Sequence, residues 1–386
     1  MGKYERKKTK RFSPWRFILT ALVSIPAAML TVNILNWGVF HIGVPGSSAS
    51  TGSVELAIMD RYDMQMTNEI SSALEGVLSI EKVYWLNDDD KIAPEPNPDN
   101  FGTTADPSTM QPFLDEAKQL LGVEDTLFHT GITLMPGSQI TYYLDETIMV
   151  ITWKEVRHNS VYTISEVKIA HPSQFRRFVA DGVYGSDKQY QTTDMAATVN
   201  AVTASSGDFY KFRQMGVSVY EGKVMRMNNK VDTCFITEDG DMLFSPRGEL
   251  KTKDEAQKFV DEHNVRFSLA FGPVLVDNFQ KVPLNGVYPL GEVEDQYPRA
   301  ALCKMSGELH YLLLASNQEG PYSNVPDIST FADQMVALGC EKAYTLDGGQ
   351  TAVVVTNDKL INRPSYGYQR LISDIIYFAT ALPDGG

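Results

Sequence analysis

The chain has 386 residues, 43% of them hydrophobic, and a formal net charge of −14 at pH 7. That length and apolar content support one large folded domain or two smaller ones and exclude a disordered chain. Seven bases and one acid occupy residues 1–16, while 27 bases against 47 acids leave residues 17–386 at −20, a field without a basic stripe that sets nucleic acid aside as a partner.

In chain order, a basic tail (1–16) precedes a stretch with no charged side chain from Phe17 to Val44. This exceeds the roughly 20 residues a bilayer helix needs. A cleaved signal peptide, with Ser48-Ala49-Ser50 as its small-residue site, would have an apolar region of only about 7–15 residues. The length therefore predicts an uncleaved single-pass anchor over 17–44, with Pro26 as a kink. The tail's bases predict a cytoplasmic N-terminus and an extracytoplasmic main domain. Residues 45–106 read as a small-residue linker, a helix and a proline-rich connector. Within them Met66, Ile70, Ala73, Val77, Ile80 and Tyr84 form a helical seam that either packs on its own domain or pairs as a homodimer stalk. Asn87–Asp90 lacks the spaced ligands and glycine of a calcium loop and reads as a solvated helix end. "KIAPEPNPDNFGTTADP" then reads as an extended connector, with a domain beginning at 107 and running to 386.

From there β-type runs dominate. "SQITYYLDETIMVITWKEV" and "SVYTISEVKIA" read as successive strands joined around His158-Asn159. "VTASSGDFY", "GVSVYEGKVM", "TCFITEDGDMLFS", "FSLAFGPVLVDN", "RAALCKM" and "LHYLLLAS" follow. "TKDEAQKFVDEH" and "ISTFADQMVAL" have helical spacing, the second starting near Asp327 or Ser329 and ending at Gly339. Strands outnumber helices without regular alternation. The fold class expected is therefore α+β, a mixed and largely antiparallel sheet with flanking helices, preceded by the transmembrane helix and a helical stalk. Cys234, Cys303 and Cys340 allow one disulfide at most and match no zinc spacing; small buried apolar roles suit them.

No Walker loop, H-E-x-x-H, Gly-x-Ser-x-Gly or Cys-x-x-Cys occurs, and the six histidines form no metal-ligand pair. No cofactor is implied, and divalent-metal dependence is left open. Two Asp-Gly segments stand out. In "SSGDFYKF", Asp208 is either an ordinary turn residue or an acid facing a sugar, with Phe209 or Tyr210 stacking on its apolar face. In "AYTLDGGQTAVVVTN", Asp347-Gly348-Gly349 either reverses a hairpin or presents converging amides to an anion, with the Thr351 hydroxyl added. The turn is expected to do both, reversing the chain between 343–346 and 351–356. Arg299, opening a strand, and Arg370, after a Tyr-Gly-Tyr turn, are either surface ion pairs or phosphate clamps.

These segments, in this order, resemble the phosphodiester glycosidase family. Ser206-Gly207-Asp208-Phe209-Tyr210 is similar to its Asn-Gly-Asp-[Phe/Tyr]-[Phe/Tyr] segment, and Phe271-Gly272-Pro273-Val274-Leu275 to its Phe-Gly-Pro-x-Leu segment. Pro298-Arg299-Ala300-Ala301 is similar to Pro-Arg-[Thr/Ser]-Ala, and Leu346-Asp347-Gly348-Gly349 to Leu-Asp-Gly-Gly. The similarity extends over about residues 129–382. Two positions depart: Ser206 replaces the family's asparagine, and Ala300 a hydroxyl residue. The resemblance implies cleavage between an anomeric carbon and a phosphodiester oxygen, through an oxocarbenium-like transition state. It implies Asp208 and Asp347 as catalytic carboxylates and Arg299 as the clamp on the departing phosphate. Ser206, Gly207, Phe209, Tyr210, Gly348, Gly349, Thr351 and Arg370 would line the substrate site. The expected function is an anchored, outward-facing hydrolase of sugar-1-phosphodiesters in surface or exported polysaccharide. The alternatives are a non-catalytic glycan-binding or envelope-assembly protein on the same fold, and a phosphosugar transferase.

Overall fold

A computed structural model describes residues 91–284 and 295–382. The anchor and the 66–84 helix expected from the sequence lie outside the described residues. Among the described residues no helix is long and apolar enough to cross a membrane.

The β-rich expectation holds, and the class is α+β. A nine-stranded sheet runs in the order Phe101–Thr104, Ile140–Leu144, Ile148–Arg157, Ser160–Ile169, His310–Asn317, Arg299–Lys304, Lys342–Leu346, Val274–Asp277 and Gln280–Lys281. A five-stranded sheet runs Lys359–Leu360, Val354–Thr356, Thr203–Ser206, Asp374–Phe378 and Phe175–Val179. Three- and two-stranded sheets complete it, and the pairings in the two larger sheets are antiparallel.

Period-two alternation explains why the large sheet's central strands read as nearly continuous apolar runs: both faces are covered. Ile148 and Val150 point into the core shared with the smaller sheets, beside Phe175, Val354 and Phe378. Met149 and Ile151 point the other way, onto Leu114 and Ala117 of the helix Gln111–Leu121 and Phe331 and Met335 of the helix Ile328–Ala337. The helix Thr192–Thr198 covers the outer face of the five-stranded sheet through Met195 and Ala196. The layers are therefore helix, sheet, sheet, helix. Asp327 caps the Ile328–Ala337 helix by accepting from the Thr330 amide at 2.6 Å, the mechanism expected of an acid at that position. All three cysteines are free and buried.

Three readings need correction. The run 138–156 is two strands, because the Asp145 carboxylate accepts from the amides of Thr147 and Ile148 at 2.7 and 3.0 Å and folds the chain into a hairpin. The "connector" contributes an edge strand, Phe101–Thr104, paired with Ile140–Leu144, so the folded unit starts before 107. Third, Ala343–Thr356 is not a hairpin. Lys342–Leu346 belongs to the nine-stranded sheet and Val354–Thr356 to the five-stranded one, so Asp347-Gly348-Gly349 carries the chain from one sheet to the other.

Candidate active site

That crossing brings the two Asp-Gly segments together. Thr203–Ser206 is the central strand of the five-stranded sheet, and its last hydroxyl, on Ser206, donates to the Asp347 carbonyl at 3.0 Å. The Asp347 amide donates back to the Gly207 carbonyl at 3.1 Å. The sheets are thus stitched at their strand ends, and Asp208 and Asp347 fall on either side of the stitch.

Asp208 lies behind it. Its side chain has no solvent exposure, and donors of fixed position hold both of its oxygens. Oδ1 accepts from Arg177 Nη2 at 2.6 Å and the Tyr210 amide at 3.1 Å; Oδ2 accepts from the Ala270 amide at 2.7 Å. The same guanidinium reaches Asp374, with Nε 3.0 Å and Nη2 2.8 Å from its Oδ2, and Nη1 donates to the Ser268 carbonyl. Burial works against the Arg177 charge, yet Asp208 and Asp374 outweigh it and hold the group above its ordinary range. Burial likewise pushes the Asp374 carboxyl up to about 7, opposed by Arg177 and reinforced by Asp208. Only glycine fits at 207, since a Cβ there would stand 1.8 Å from Asp374 Oδ2. The Gly207 amide donates to the Asp374 carbonyl at 3.0 Å.

Asp347 lies in front. It is 6% exposed, and Arg370 Nη2 donates to its Oδ2. Burial raises its pKa, Arg370 and the Thr351 hydroxyl oppose the rise, and Asp208 adds to it. The Arg370 guanidinium lies 4.6 Å from the centre of the Phe209 ring, which stacks on Phe212 at 5.1 Å. Phe209 holds this place with φ 60°, a conformation unfavourable to an aromatic residue. Two donors at this edge are buried without a hydrogen-bond partner: Arg370 Nε and Gln350 Nε2.

The other expected residues divide. Tyr210 is buried behind the loop, its ring 5.1 Å from Arg177, so it braces the ionic cluster and does not present a face to ligand. Gly349 is not a free anion donor, because its amide donates to the Pro298 carbonyl at 2.8 Å. Gly348 is required for close approach: a Cβ would lie 2.6 Å from the same carbonyl. Thr351 donates its hydroxyl to the Gly348 carbonyl at 2.7 Å. Arg299 opens its strand as expected, but strand parity turns it away. Ala300 faces the core between the sheets and Ala301 the helices, so Arg299 shares the helix side. Its Nη2 donates to the Asp295 carbonyl at 2.6 Å and its Nε to the Pro326 carbonyl at 3.3 Å, and burial lowers its pKa to about 10 against the pull of Asp327 and Asp295. The arginine beside the front carboxylate is Arg370.

Arg177, Asp374 and Gln350 were not singled out in the sequence. For Arg177 a signal exists: in "FRRFV" it shares a strand face with Phe175 and Val179, both fully buried, and a buried guanidinium demands acid partners. Asp374 opens the apolar strand "DIIYF" and reads as a strand-end residue; nothing local ties it to Asp208.

Fold and site together describe an α+β sheet protein with a carboxylate–arginine pair at the edge where two sheets join. Residues 198–379, just under half of the chain, match the phosphodiester glycosidase family model, and the four motifs that resemble that family all lie within them. The match includes Asp208, Asp347, Arg370 and Asp374 and leaves out Arg177. No curated protein matches the chain. Among solved structures, a hypothetical protein from Synechocystis is similar at 13% identity and TM-score 0.46, over 62% of this chain and 63% of that one. The catalytic domain of zebrafish N-acetylglucosamine-1-phosphodiester alpha-N-acetylglucosaminidase, auto-inhibited by its pro-peptide, is similar at 14% identity and TM-score 0.46, over 60% of this chain and 83% of that one.

Proposed function

We propose that the chain is a hydrolase of glycosyl phosphodiester bonds, with Asp347 as the reacting carboxylate and Arg370 as the phosphate clamp. The observation that carries this is the incomplete pairing at the sheet edge. Asp347 reaches the surface with a burial-raised pKa, beside a guanidinium Nε and a Gln350 amide that have no partner. The Arg370 side chain is 40% exposed, so its guanidinium is the cation that a phosphodiester oxygen would meet there.

The reaction breaks the bond between the anomeric carbon and the phosphate oxygen. The electron pair leaves with the phosphate as a phosphomonoester, and water supplies the hydroxyl of the freed sugar. Phosphate departs without a strong general acid, so positive charge fixed near the leaving oxygen matters more than proton donation. One carboxylate paired with one partly exposed arginine suits that requirement better than two exposed carboxylates. Asp347 either polarises the water or attacks the anomeric carbon. Asp208, saturated by three donors, holds the loop that positions Asp347 and Phe209.

The basic tail and the charge-free span 17–44 support an anchored chain with this domain outside the membrane, facing surface or exported polysaccharide. One observation favours a second reading. Ser206, in the place of the family's asparagine, is fully buried with its hydroxyl tied to the Asp347 carbonyl, so it offers nothing to a sugar. A glycan-binding protein without turnover would tolerate that loss.

The test is to incubate the full chain, in detergent, with a panel of N-acetylglucosamine-1-phosphodiesters. Equimolar release of free sugar and phosphomonoester, abolished in Asp347→Asn, is expected. Binding without release, unchanged in Asp347→Asn, would replace the hydrolase with the binding protein.

A further inference from the structure

The five-stranded sheet ends at the strand Phe175–Val179, whose sheet partner is Asp374–Phe378. Its other side meets Val265–Leu269, a strand of the three-stranded sheet, and arginine side chains make the join. Arg177 Nη1 donates to the Ser268 carbonyl; Arg266 Nη2 donates to the Phe175 carbonyl and, at 3.2 Å, to that of Pro172. Side chains hold strands farther apart than a ladder's roughly 4.8 Å. Between these two strands and the turn Tyr220–Gly222 an open cavity of about 240 Å³ remains.

Among the described residues, Lys91, Arg176, Arg177 and Arg266 line this cavity against Glu221 and Glu238. Both glutamates are exposed, whereas Arg176 and Arg266 are half-buried in the wall. Arg177 is answered by Asp208 and Asp374. Arg176 lies opposite Tyr377 in the strand register, and the Tyr377 hydroxyl donates to the Lys91 carbonyl at 3.4 Å. Burial pushes the Tyr377 phenol up to about 12, with Arg176 and Arg266 opposing the rise. Burial and Glu221 push Tyr220 up to about 12 as well, against Arg177 and Arg176. Both phenols therefore keep their protons at neutral pH, in the field of the same guanidiniums. A cluster of cations in a wall this apolar, on a chain that is otherwise acidic, suits an anion.

We propose that this cavity is a second binding site, for a small phosphate, held by Arg176, Arg266 and Lys91 with the Tyr220 hydroxyl as a further donor. The ligand is inorganic phosphate or the phosphoryl end of a small monoester. A phosphate brings at least three oxygens and up to two charges to these donors, where a carboxylate brings two oxygens and one. The volume equals that of about eight waters at roughly 30 Å³ each. It admits a phosphate with a short ester group, which Phe178, Val265 and Phe267 would cover, and excludes a polymer. Neither Asp347 nor Arg370 lines the cavity, so the site stands whether or not the sheet edge is a reacting centre.

The experiment is calorimetry on the full chain in detergent, at fixed ionic strength, with inorganic phosphate, phenyl phosphate and benzoate. Phosphate or its ester is expected to bind at least about 10-fold more tightly than benzoate. That affinity should fall about 10-fold in Arg176→Gln and about 3-fold in Tyr220→Phe, and persist in Arg370→Gln. Tighter binding of phenyl phosphate marks a monoester as the ligand, and tighter binding of inorganic phosphate the free ion. Benzoate binding as well as the phosphates would overturn the phosphate assignment. Loss of affinity in Arg370→Gln, with wild-type affinity in Arg176→Gln, would move the anion to the sheet edge and overturn the site. So would no binding of either phosphate. Tyr220→Phe removes one hydroxyl and keeps the ring, so it reads the site even where Arg176→Gln fails to fold; in that case unchanged affinity overturns the proposal.

Discussion

The two sides of the 206–209 loop use the same residue types to opposite ends. Behind the loop, Arg177 serves Asp208 and Asp374 with all three side chains within 1% of fully buried. In front of it, Asp347 shares Arg370 while Arg370 Nε and Gln350 Nε2 lack partners. A buried ion whose hydrogen bonds are all made is fixed, and its removal is felt as lost stability. A carboxylate held by one partly exposed arginine, with its pKa raised by burial, is a candidate for contact with a ligand, and its removal is expected to be felt in turnover. Carboxylates that look equivalent in sequence thus separate into one saturated by three donors and one held by a single arginine.

Each of the following would break that contrast or sharpen it. Arg177→Met strands two buried carboxylates and is expected to lower stability by about 3–5 kcal/mol in urea unfolding; a loss under about 1 kcal/mol would mean the rear cluster is no brace. Asp374 gives the next effect, as a pH dependence. Its folded pKa of about 7 lies above its ordinary 3.8, so the folded state binds the proton more tightly. Its stabilising contribution is complete below about pH 4 and is lost as pH rises through about 7. Between those limits wild-type stability should fall relative to Asp374→Asn by on the order of a few kcal/mol, and parallel curves would show that the proton is held elsewhere.

Asp347→Asn should reduce phosphodiester cleavage at least about 100-fold with a smaller loss of stability than Asp208→Asn, whose carboxylate has three fixed donors. Asp208→Asn should lower stability and activity together; the reverse pattern in the two variants would exchange their roles. Gly207→Ala drives a methyl into Asp374 and should cost about 1–3 kcal/mol, read as a lowered melting temperature. The smallest change is expected from Arg370→Lys, which keeps the charge but loses the planar fork: KM up about 3- to 10-fold with stability nearly unchanged. No change in KM would remove Arg370 from the phosphate.

Much of the fold was legible because strand and helix signals are local. The His158-Asn159 hairpin has both residues in the left-handed conformation that such a turn requires, and Asp327 caps its helix as its residue type suggests. Where local signals were ambiguous, tertiary partners decided. "YLDETIM" became a hairpin through the Asp145 carboxylate, and "FGTT" became an edge strand because Ile140–Leu144 offered it a ladder.

The site followed the same division. Residue type and order singled out Asp208, Asp347, Phe209 and Arg370 and gave the resemblance to the family whose model residues 198–379 match. What the linear chain could not specify was which side of the sheet each would face and which partner would saturate it. Arg299 looked as suitable a clamp as Arg370, but strand parity sends it to the helix layer. Arg177 lies 31 residues from Asp208 and 197 from Asp374. Pairing over such separations exists only once two sheets have closed on one another. Burial then decides the roles, because desolvation and donor count depend on the assembled surroundings and on nothing a short stretch of sequence contains.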